Sequence, residues 1–349
     1  MNVKPRLEQA LSQYVGLKNA VLFSSCRNAL YTLLLSLNVN KDDEIIIQSF
    51  ICDSLICAIE KAGAKPILVE VDSETFNVDN HLVQNAINSK TKAVIFVHTY
   101  GNPSGIEEIS SLCKERNIIL IEDIAHALGA RYDHKLAGTF GDYAVYSFTK
   151  QMVNIGGGAV LSNHNLDEVK KIKHSLTLPS INRVEVYFTY LKRVLASLYE
   201  TKAFFLSKLL INAAHTKKDL KMVQGLDPHF FCSSLEAYFA LRQLPSLYHK
   251  IIQRKKNFMF IQERVQTQRI DPKAHSSYNY LSFVFPVPVD PSEIKKAHFL
   301  FLPPWSGAKM SSQLLFIPNS PTFRTKTLLS FIEAYGNIYN LKEQDKKNE

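Results

Sequence analysis

Two polar side chains that follow apolar segments have the types and positions needed for catalysis. Asp123 follows the apolar run Ile118–Ile121, and Lys150 follows the segment Gly141–Ser147. A carboxylate that ends a buried strand is costly unless it has a partner, such as a protonated ring nitrogen, a metal ion or a ribose hydroxyl. A lysine can form a Schiff base where desolvation or a neighbouring cation lowers its pKa. The pattern therefore predicts a catalytic Lys150 with Asp123 nearby.

A phosphate-binding turn is indicated near the N-terminus. Ser25, Cys26 and Arg27 come directly before the helical run Ala29–Leu37. Free N–H groups at a helix N-terminus bind phosphate, and an arginine adds positive charge. A serine at this position can equally be an ordinary N-cap. Ser147, at the end of a later apolar segment, is placed to donate a hydrogen bond to the same phosphate.

The elements that must position these residues alternate between strand and helix over roughly the first 165 residues. Glu44–Ile47 and Lys92–His98 read as strands, and their inner residues are continuously apolar, which is typical of strands buried on both faces. Ser54–Ala62 and Ile106–Arg116 have helical spacing. The order predicts an α/β fold with a mostly parallel sheet between helices. Ligands bind at the carboxyl ends of the strands in such sheets, where the polar segments above would lie.

The second half of the chain has a different character. Val186–Ile211 is apolar and aromatic with interspersed basic residues, which fits a helix packed on the protein or a helix lying on a membrane surface. The later residues have a mixed α+β pattern. We therefore predict a large domain over 1–230, including a helical segment at 183–215, and a smaller C-terminal domain over 231–349.

Composition limits the class of protein. The chain has 349 residues, 46% hydrophobic and 21% charged, and a formal net charge of +9. The positive charge is dispersed, which argues against nucleic-acid binding and suits anionic partners such as nucleotide-linked substrates; it can equally reflect the proteins of the host. Five cysteines without a CxxC pair argue against a disulfide framework or a zinc site. The charged first residues and the lack of a long apolar run favour a cytoplasmic protein.

Several motifs resemble the DegT/DnrJ family of sugar aminotransferases. The resemblance covers most of residues 5–260 and is specific in the first 165. It is carried by Val21–Leu30 (family SGT-x-AL), Ala62–Asp72 (aGa-x-PvfvDvD), Val97–Pro103 (VHlyG-x-p), Glu122–Ala130 (EDaAqaxGA), Gly138–Ser147 (GsfGDxxxfS) and Leu235–Leu244 (AAxxxxQL).

The resemblance implies a fold-type-I enzyme that binds pyridoxal 5'-phosphate (PLP). Lys150 would be the Schiff-base lysine, Asp123 would pair with the pyridine nitrogen, and His126 would lie near the 3' oxygen of the cofactor. Phe50 is the first candidate to stack on the cofactor ring, with Cys52 as the alternative. The residues implied around the phosphate are Ser25, Cys26, Arg27 and Ser147.

Three features depart from the family pattern. Only one residue separates the Ser-Phe pair from Lys150 where the family has three, so we place a two-residue deletion there. Cys26 and Arg27 replace the glycine and threonine of the phosphate motif. Gly225–Phe230 resembles the family's GxNxRm, with Asp227 in place of the asparagine. The family segment reaches the phosphate in the neighbouring subunit.

The function implied by the resemblance is transfer of an amino group, with glutamate as donor, to a nucleotide-linked keto-sugar for cell-surface polysaccharide or related glycan synthesis. A homodimer with shared active sites is expected. Two alternatives stay open. One is other PLP chemistry on a sugar nucleotide, such as dehydration. The other is a non-catalytic family member that acts as a regulator or assembly partner.

Overall fold

The computed structural model describes residues 2–152, 154, 156–176, 226, 230–284, 314–333 and 335–336. The predicted helical segment 183–215, the predicted surface contact over 186–211, and Asp227 lie outside these residues. The helices are α1 Val3–Val15, α2 Cys26–Ser36, α3 Asp53–Lys61, α4 Asn80–Ala86, α5 Ile106–Arg116, α6 Phe148–Gln151, α7 Asp167–Ser175, α8 Ser234–Gln243 and α9 Leu247–Gln262. The strands are β1 Asn19–Phe23, β2 Glu44–Gln48, β3 Lys65–Val69, β4 Thr91–Val97, β5 Ile119–Asp123, β6 Arg131–Tyr132, β7 Lys135–Leu136, β8 Tyr143–Ser147, β9 Gly158–Ser162, β10 Ala274–His275, β11 Tyr280–Val284 and β12 Leu314–Pro318.

Seven strands form the central sheet in the order β1-β9-β8-β5-β4-β2-β3. The pairs β2–β3, β2–β4, β4–β5 and β5–β8 are parallel. The predicted α/β fold with a mostly parallel sheet is confirmed. Parallel alignment brings the carboxyl ends of β2, β4, β5 and β8 to one edge, and this edge carries the residues singled out above.

The apolar character of the strands follows from burial on both faces of the sheet. Within β2, Ile45 and Ile47 pack in the cluster that includes α2 and α3, whereas Ile46 packs on the opposite side with α5. Successive residues of a strand point to opposite faces. A strand covered by helices on both faces therefore needs apolar residues at every position.

Strand β9 runs antiparallel to both of its neighbours, β8 and β1. The sequence did not indicate this reversal. The connection 148–157 between β8 and β9 is shorter than the dozen or so residues that a parallel crossover takes. The chain therefore turns back beside β8, and its turn lies over the same carboxyl edge of the sheet.

The C-terminal part has a second apolar core. Phe258 and Ile261 of α9 pack with Leu281 and Phe283 of β11 and with Phe331 from the helical stretch 325–333. Helix α8, in contrast, packs with α1 in the core of the large sheet. The predicted division of the chain at residue 230 stays a prediction. Within the described ranges, no helix has the length and apolarity to cross a bilayer.

Candidate active site

The predicted site residues come together at the carboxyl edge of the sheet. Asp123 is the last residue of β5, and Lys150 lies in the short helix α6 that follows β8. Cys26 opens α2 after β1, and Cys52 precedes α3 after β2. Asp123, Lys150 and Cys52 each alter the pKa of Cys26, so these four side chains lie near one another at the carboxyl edge of the sheet, in the region called the pocket below.

Lys150 is exposed to solvent although protein atoms surround it, as expected for a side chain on the wall of an open pocket. Among the surrounding groups, Tyr280 raises the pKa of Lys150 most. Burial opposes this effect, and Cys52, Asp123 and Cys26 add to it. The expectation that the pocket lowers the pKa of Lys150 is therefore wrong for the protein alone. The effects that raise the pKa of Lys150 together outweigh its desolvation.

Asp123 is almost completely buried, and its Oδ1 accepts a hydrogen bond of 2.8 Å from the N–H of Ala125. Burial raises its pKa to about 6, against the opposing effects of that N–H and of the charges on His98 and Lys150. A carboxylate in this environment gains more from a cationic partner than an exposed one does.

Glu122, the neighbour of Asp123, has a structural role. Its carboxylate accepts hydrogen bonds of 2.6–2.8 Å from the N–H groups of Gly138, Phe140 and Gly141, and it lies 2.9 Å from Nε2 of His98. Neighbouring residues of a strand point to opposite faces, so only Asp123 faces the pocket. Glu122 is therefore not placed to bind a metal ion or a ribose hydroxyl together with Asp123.

The turn before α2 has the features of an anion site. Ser25 is the N-cap of α2, and its Oγ accepts the N–H of Asn28 at 3.2 Å. The serine is thus a cap, and it also opens an eleven-residue helix, whose N-terminus favours an anion. Burial, followed by the charge of Asp123, raises the pKa of Cys26 well above its ordinary value. Its thiol is therefore neutral and does not repel an anion.

Gly158 lets the chain approach this turn closely. A Cβ at Gly158 would lie 2.4 Å from the backbone nitrogen of Cys26 and 2.5 Å from the carbonyl carbon of Ser25. Gly158 also pairs with Ser147 in the β8–β9 register and with Phe23 in the β1–β9 register. The predicted phosphate residues Ser147 and Ser25 therefore lie at the ends of strands on either side of β9.

His126 lies in the turn that follows β5. It is buried, and its ring stacks on Tyr100 at a centroid distance of 6.2 Å. Burial lowers its pKa well below the ordinary value, and the charge of Lys150 acts in the same direction. His126 is therefore a neutral imidazole at physiological pH, able to act as donor or acceptor toward a neighbouring oxygen.

The predicted stacking residue Phe50 needs correction. Phe50 is fully buried and packs against Phe76 and Tyr100, with centroid distances of 6.4 and 6.1 Å. It has no accessible face for a ligand ring, because it is enclosed in this aromatic cluster. Cys52, the alternative, is half-buried, and its Sγ lies 3.2 Å from Oγ of Ser54.

Some residues around the pocket were not found from the sequence. His98 contacts Glu122 and influences Asp123, and the motif VHTYG offered a signal for it. Gln151, next to Lys150, binds both backbone groups of Leu128 at 2.7 and 3.1 Å. Tyr280 comes from the C-terminal third, where the sequence resembles the family only weakly.

The chain belongs to the DegT/DnrJ/EryC1/StrS aminotransferase family, whose model matches residues 2–320. It is 35% identical over 164 residues to GDP-perosamine synthase from Escherichia coli O157:H7, which covers 46% of this chain and 45% of the relative. It is 37% identical over 159 residues to dTDP-3-amino-3,4,6-trideoxy-alpha-D-glucose transaminase from Micromonospora megalomicea subsp. nigra, covering 45% and 42%. These matches span less than half of each relative.

Solved structures support the fold over a much larger share of the chain. The putative sugar aminotransferase Spr1654 from Streptococcus pneumoniae, in its PMP form, superimposes with a TM-score of 0.75. It has 18% sequence identity and covers 99% of this chain and 92% of its own. Helicobacter pylori PseC, an aminotransferase, superimposes with a TM-score of 0.73 at 17% identity, covering 97% and 92%. The fold of this chain is thus shared with solved aminotransferase structures.

Proposed function

We propose that this protein is a PLP-dependent aminotransferase that converts a nucleotide-linked keto-sugar to an amino-sugar. The observation that carries the proposal is the convergence of Asp123, Lys150 and the N-terminus of α2 on one pocket. These are a buried acid, an accessible amine and an anion site. Each suits one part of PLP, namely the ring nitrogen, the aldehyde and the phosphate.

The residues present fit the cofactor. Asp123 would hold the pyridine nitrogen, because a buried carboxyl with a raised pKa is stabilised by a protonated ring nitrogen. The N-terminus of α2, Arg27 and Ser147 would hold the phosphate, and Gly158 leaves the turn free of side-chain atoms. When bound, PLP supplies an electron sink that makes a neighbouring C–H bond acidic.

The protein itself supplies proton transfer and positioning. Lys150 would hold the cofactor covalently and, when released as a neutral amine, take up and return a proton within the pocket. Gln151 fixes the helix that carries Lys150 by binding Leu128. The neutral His126 would contact the ring oxygen without bringing a second cation next to Lys150.

The proposed substrate class rests on the names of two relatives and on the net charge of the chain. Both relatives described above are named for synthesis of nucleotide-linked amino-sugars. The net charge of +9 favours an anionic nucleotide substrate. We propose glutamate as the donor and a glycan pathway as the destination of the product. Free cysteines at all five positions fit the reducing cytoplasm, where we place the protein.

A homodimer is also part of the proposal. Helices α8 and α9 carry large apolar side chains that are exposed, which favours contact with another protein surface. They are Leu235, Tyr238, Phe239, Tyr248, Ile252 and Met259. The proposed occupant is a second copy of the chain. Membrane contact over 186–211 stays a prediction.

The half-reaction with glutamate tests the proposed activity. PLP-loaded protein mixed with glutamate should release about one equivalent of 2-oxoglutarate per subunit, with loss of the cofactor's absorbance band near 400–430 nm. The aminated protein should then convert a nucleotide-linked keto-sugar in a panel that varies the sugar and the nucleotide. Lys150→Ala is the matched control. Failure to release 2-oxoglutarate from the loaded protein, or equal release by the variant, would contradict the proposal.

A further inference from the structure

Lys150 is carried by a helix of a single turn, α6, which has four residues. A single turn is unstable by itself, because it fixes several backbone angles for very few hydrogen bonds. Contacts with other elements must therefore hold it in place. The N–H of Phe148 donates to the carbonyl of Gly157 at 3.1 Å. At the other end of α6, the side chain of Gln151 binds both backbone groups of Leu128.

A further contact reaches α6 from helix α9. The side chain of Arg254 is buried, and its Nη2 donates to the carbonyl of Gln151 at 3.3 Å. Gln151 is the last residue of α6 and follows Lys150 directly. The last carbonyls of a helix have no partner within the helix, so a side chain from outside can bind them, and a charged donor does so more strongly than a neutral one. The end of α6 next to Lys150 is thus bound by a residue of the C-terminal region.

Arg254 is itself held at a fixed place. Its Nε donates to the carbonyl of Asn319, the residue after β12, at 3.0 Å. The side-chain amide of Asn319 donates back to the carbonyl of Arg254 at 2.9 Å and to the carbonyl of Tyr278 at 3.0 Å. The N–H of Asn319 donates to the carbonyl of Asn279 at 2.9 Å. Because a guanidinium is planar and rigid, its two bonds fix the carbonyl of Gln151 relative to that of Asn319.

The chemistry of this contact points to a role beyond packing. Moving a cation from water into the protein interior is costly. An apolar side chain of similar length, such as methionine, would fill the space between α9 and α6 without this cost, but it would make no directional bond to a backbone carbonyl. Arg254 therefore contributes orientation, and the residue that it orients lies next to the reactive lysine.

We propose that Arg254 is a positioning residue, which holds α6 so that the amine of Lys150 lies where it can form the Schiff base with PLP. Bond formation depends on the exact placement of the reacting atoms, and a misplacement of about 1 Å can slow a reaction about a hundredfold. The effect on Schiff-base formation rests on the proposed function. The hold of Arg254 on α6 does not, because it exists in the protein without cofactor.

The first test separates binding of the cofactor from the reaction of Lys150. Pyridoxamine 5'-phosphate (PMP) has the ring and phosphate of PLP but an amine in place of the aldehyde, so it can bind without forming a bond to lysine. In Arg254→Met, Schiff-base formation at saturating PLP, followed by stopped-flow absorbance, should be about ten- to hundredfold slower. The affinity for PMP, measured by fluorescence titration, should equal that of the wild type. Weaker PMP binding with an unchanged rate would overturn the proposal.

Phe258→Leu is the matched control, because Phe258 lies one turn further along α9 and packs in the C-terminal core against Tyr278. It loosens the same helix but leaves the guanidinium in place, so its rate should equal that of the wild type. A rate as slow as that of Arg254→Met would overturn the proposal. If Arg254→Met does not fold, Arg254→Lys keeps the buried cation but lacks the fork that binds two carbonyls. Its rate should also be lower, and an unchanged rate in it would overturn the proposal.

Hydrogen–deuterium exchange of the full-length apoprotein tests the hold on α6 without the cofactor. In Arg254→Met, a peptide covering 147–152 should exchange about tenfold faster, because α6 opens more often. A peptide covering β5 should be unchanged, and both peptides should be unchanged in Phe258→Leu. Unchanged exchange at α6 in Arg254→Met would overturn the proposal. Faster exchange in a protein that fails to bind PLP would support the hold of Arg254 on α6 and contradict only the proposed function.

Discussion

The two sides of strand β5 carry neighbouring carboxylates in opposite situations. Glu122 accepts three backbone N–H groups and lies within hydrogen-bond distance of His98, so its charge is matched by the fold. Asp123 faces the pocket, and burial raises its pKa to about 6. The difference teaches that a fully satisfied buried acid stabilises structure, whereas a poorly satisfied one stores a cost that a ligand can relieve.

The largest effect on activity is expected for Lys150→Ala, a variant in the pocket that Asp123 faces. We expect transamination to fall at least about a thousandfold, because the covalent link and the proton carrier are lost together. The free energy of unfolding of the apoprotein should stay within about 0.5 kcal/mol, since Lys150 is exposed. Steady-state kinetics and urea denaturation measure the two effects. Lys170→Ala, at an exposed position on α7, is the control and should change neither.

On the other side of β5, Glu122→Gln should mainly affect stability. The amide has one acceptor oxygen where the carboxylate has two, so at least one buried N–H group loses its partner. We expect the free energy of unfolding to fall by about 2–4 kcal/mol in urea denaturation. A loss below about 0.5 kcal/mol would show that the two sides of β5 are less different than we argue.

For Asp123→Asn we expect the opposite effect, namely a higher free energy of unfolding of the apoprotein. A carboxyl whose pKa is raised in the folded state contributes stability below its unfolded pKa, and that stability is lost as the pH rises through about 6. The asparagine variant avoids this loss. It should be more stable than the wild type above pH 6 by about 1–3 kcal/mol, while the two converge near pH 4.

Urea denaturation of both apoproteins from pH 4 to pH 8 measures the difference. Cofactor binding should weaken in the same variant, because the partner of the ring nitrogen is lost. An asparagine variant that is less stable at pH 7 would show that Asp123, like Glu122, is already satisfied by the fold.

The last prediction concerns Gly158, which pairs with the ends of β1 and β8. Gly158→Ala places a methyl group against the backbone of Ser25 and Cys26, which must move. We expect a loss of about 1–3 kcal/mol in stability and about tenfold weaker PLP binding, measured by fluorescence titration. Gly336→Ala, where no atom lies within 4 Å of the added Cβ, is the control. Unchanged PLP affinity in Gly158→Ala would show that this turn is not part of the cofactor site.

Sequence patterns predicted the sheet edge well because strand burial and strand ends are local features. Continuous apolar runs predicted the parallel strands, and the polar residues after them, Asp123 and Lys150, fell at the carboxyl edge. The reversal of β9 was missed because strand direction depends on the length of a connection. The burial of Phe50 was missed because it depends on Phe76 and Tyr100, which lie far away in the chain.

The charge environment of the pocket also could not be predicted from the sequence. Nothing near Lys150 in the chain indicates that Tyr280 and Cys52 lie close enough to affect its pKa. The C-terminal residues reach the site through single side-chain contacts, such as that of Arg254 with the carbonyl of Gln151. Contacts of this kind leave no periodic pattern in the sequence. This part of the site can therefore be found only from the structure.

The most direct test of the central claim is borohydride reduction of the protein incubated with PLP, followed by peptide mass mapping. Reduction makes the bond between lysine and cofactor permanent. The account predicts a single modified peptide that carries the phosphopyridoxyl group on Lys150, absent in Lys150→Ala. An adduct on another lysine, or no adduct at saturating PLP, would contradict the assignment of the pocket formed by Asp123, Lys150 and the N-terminus of α2.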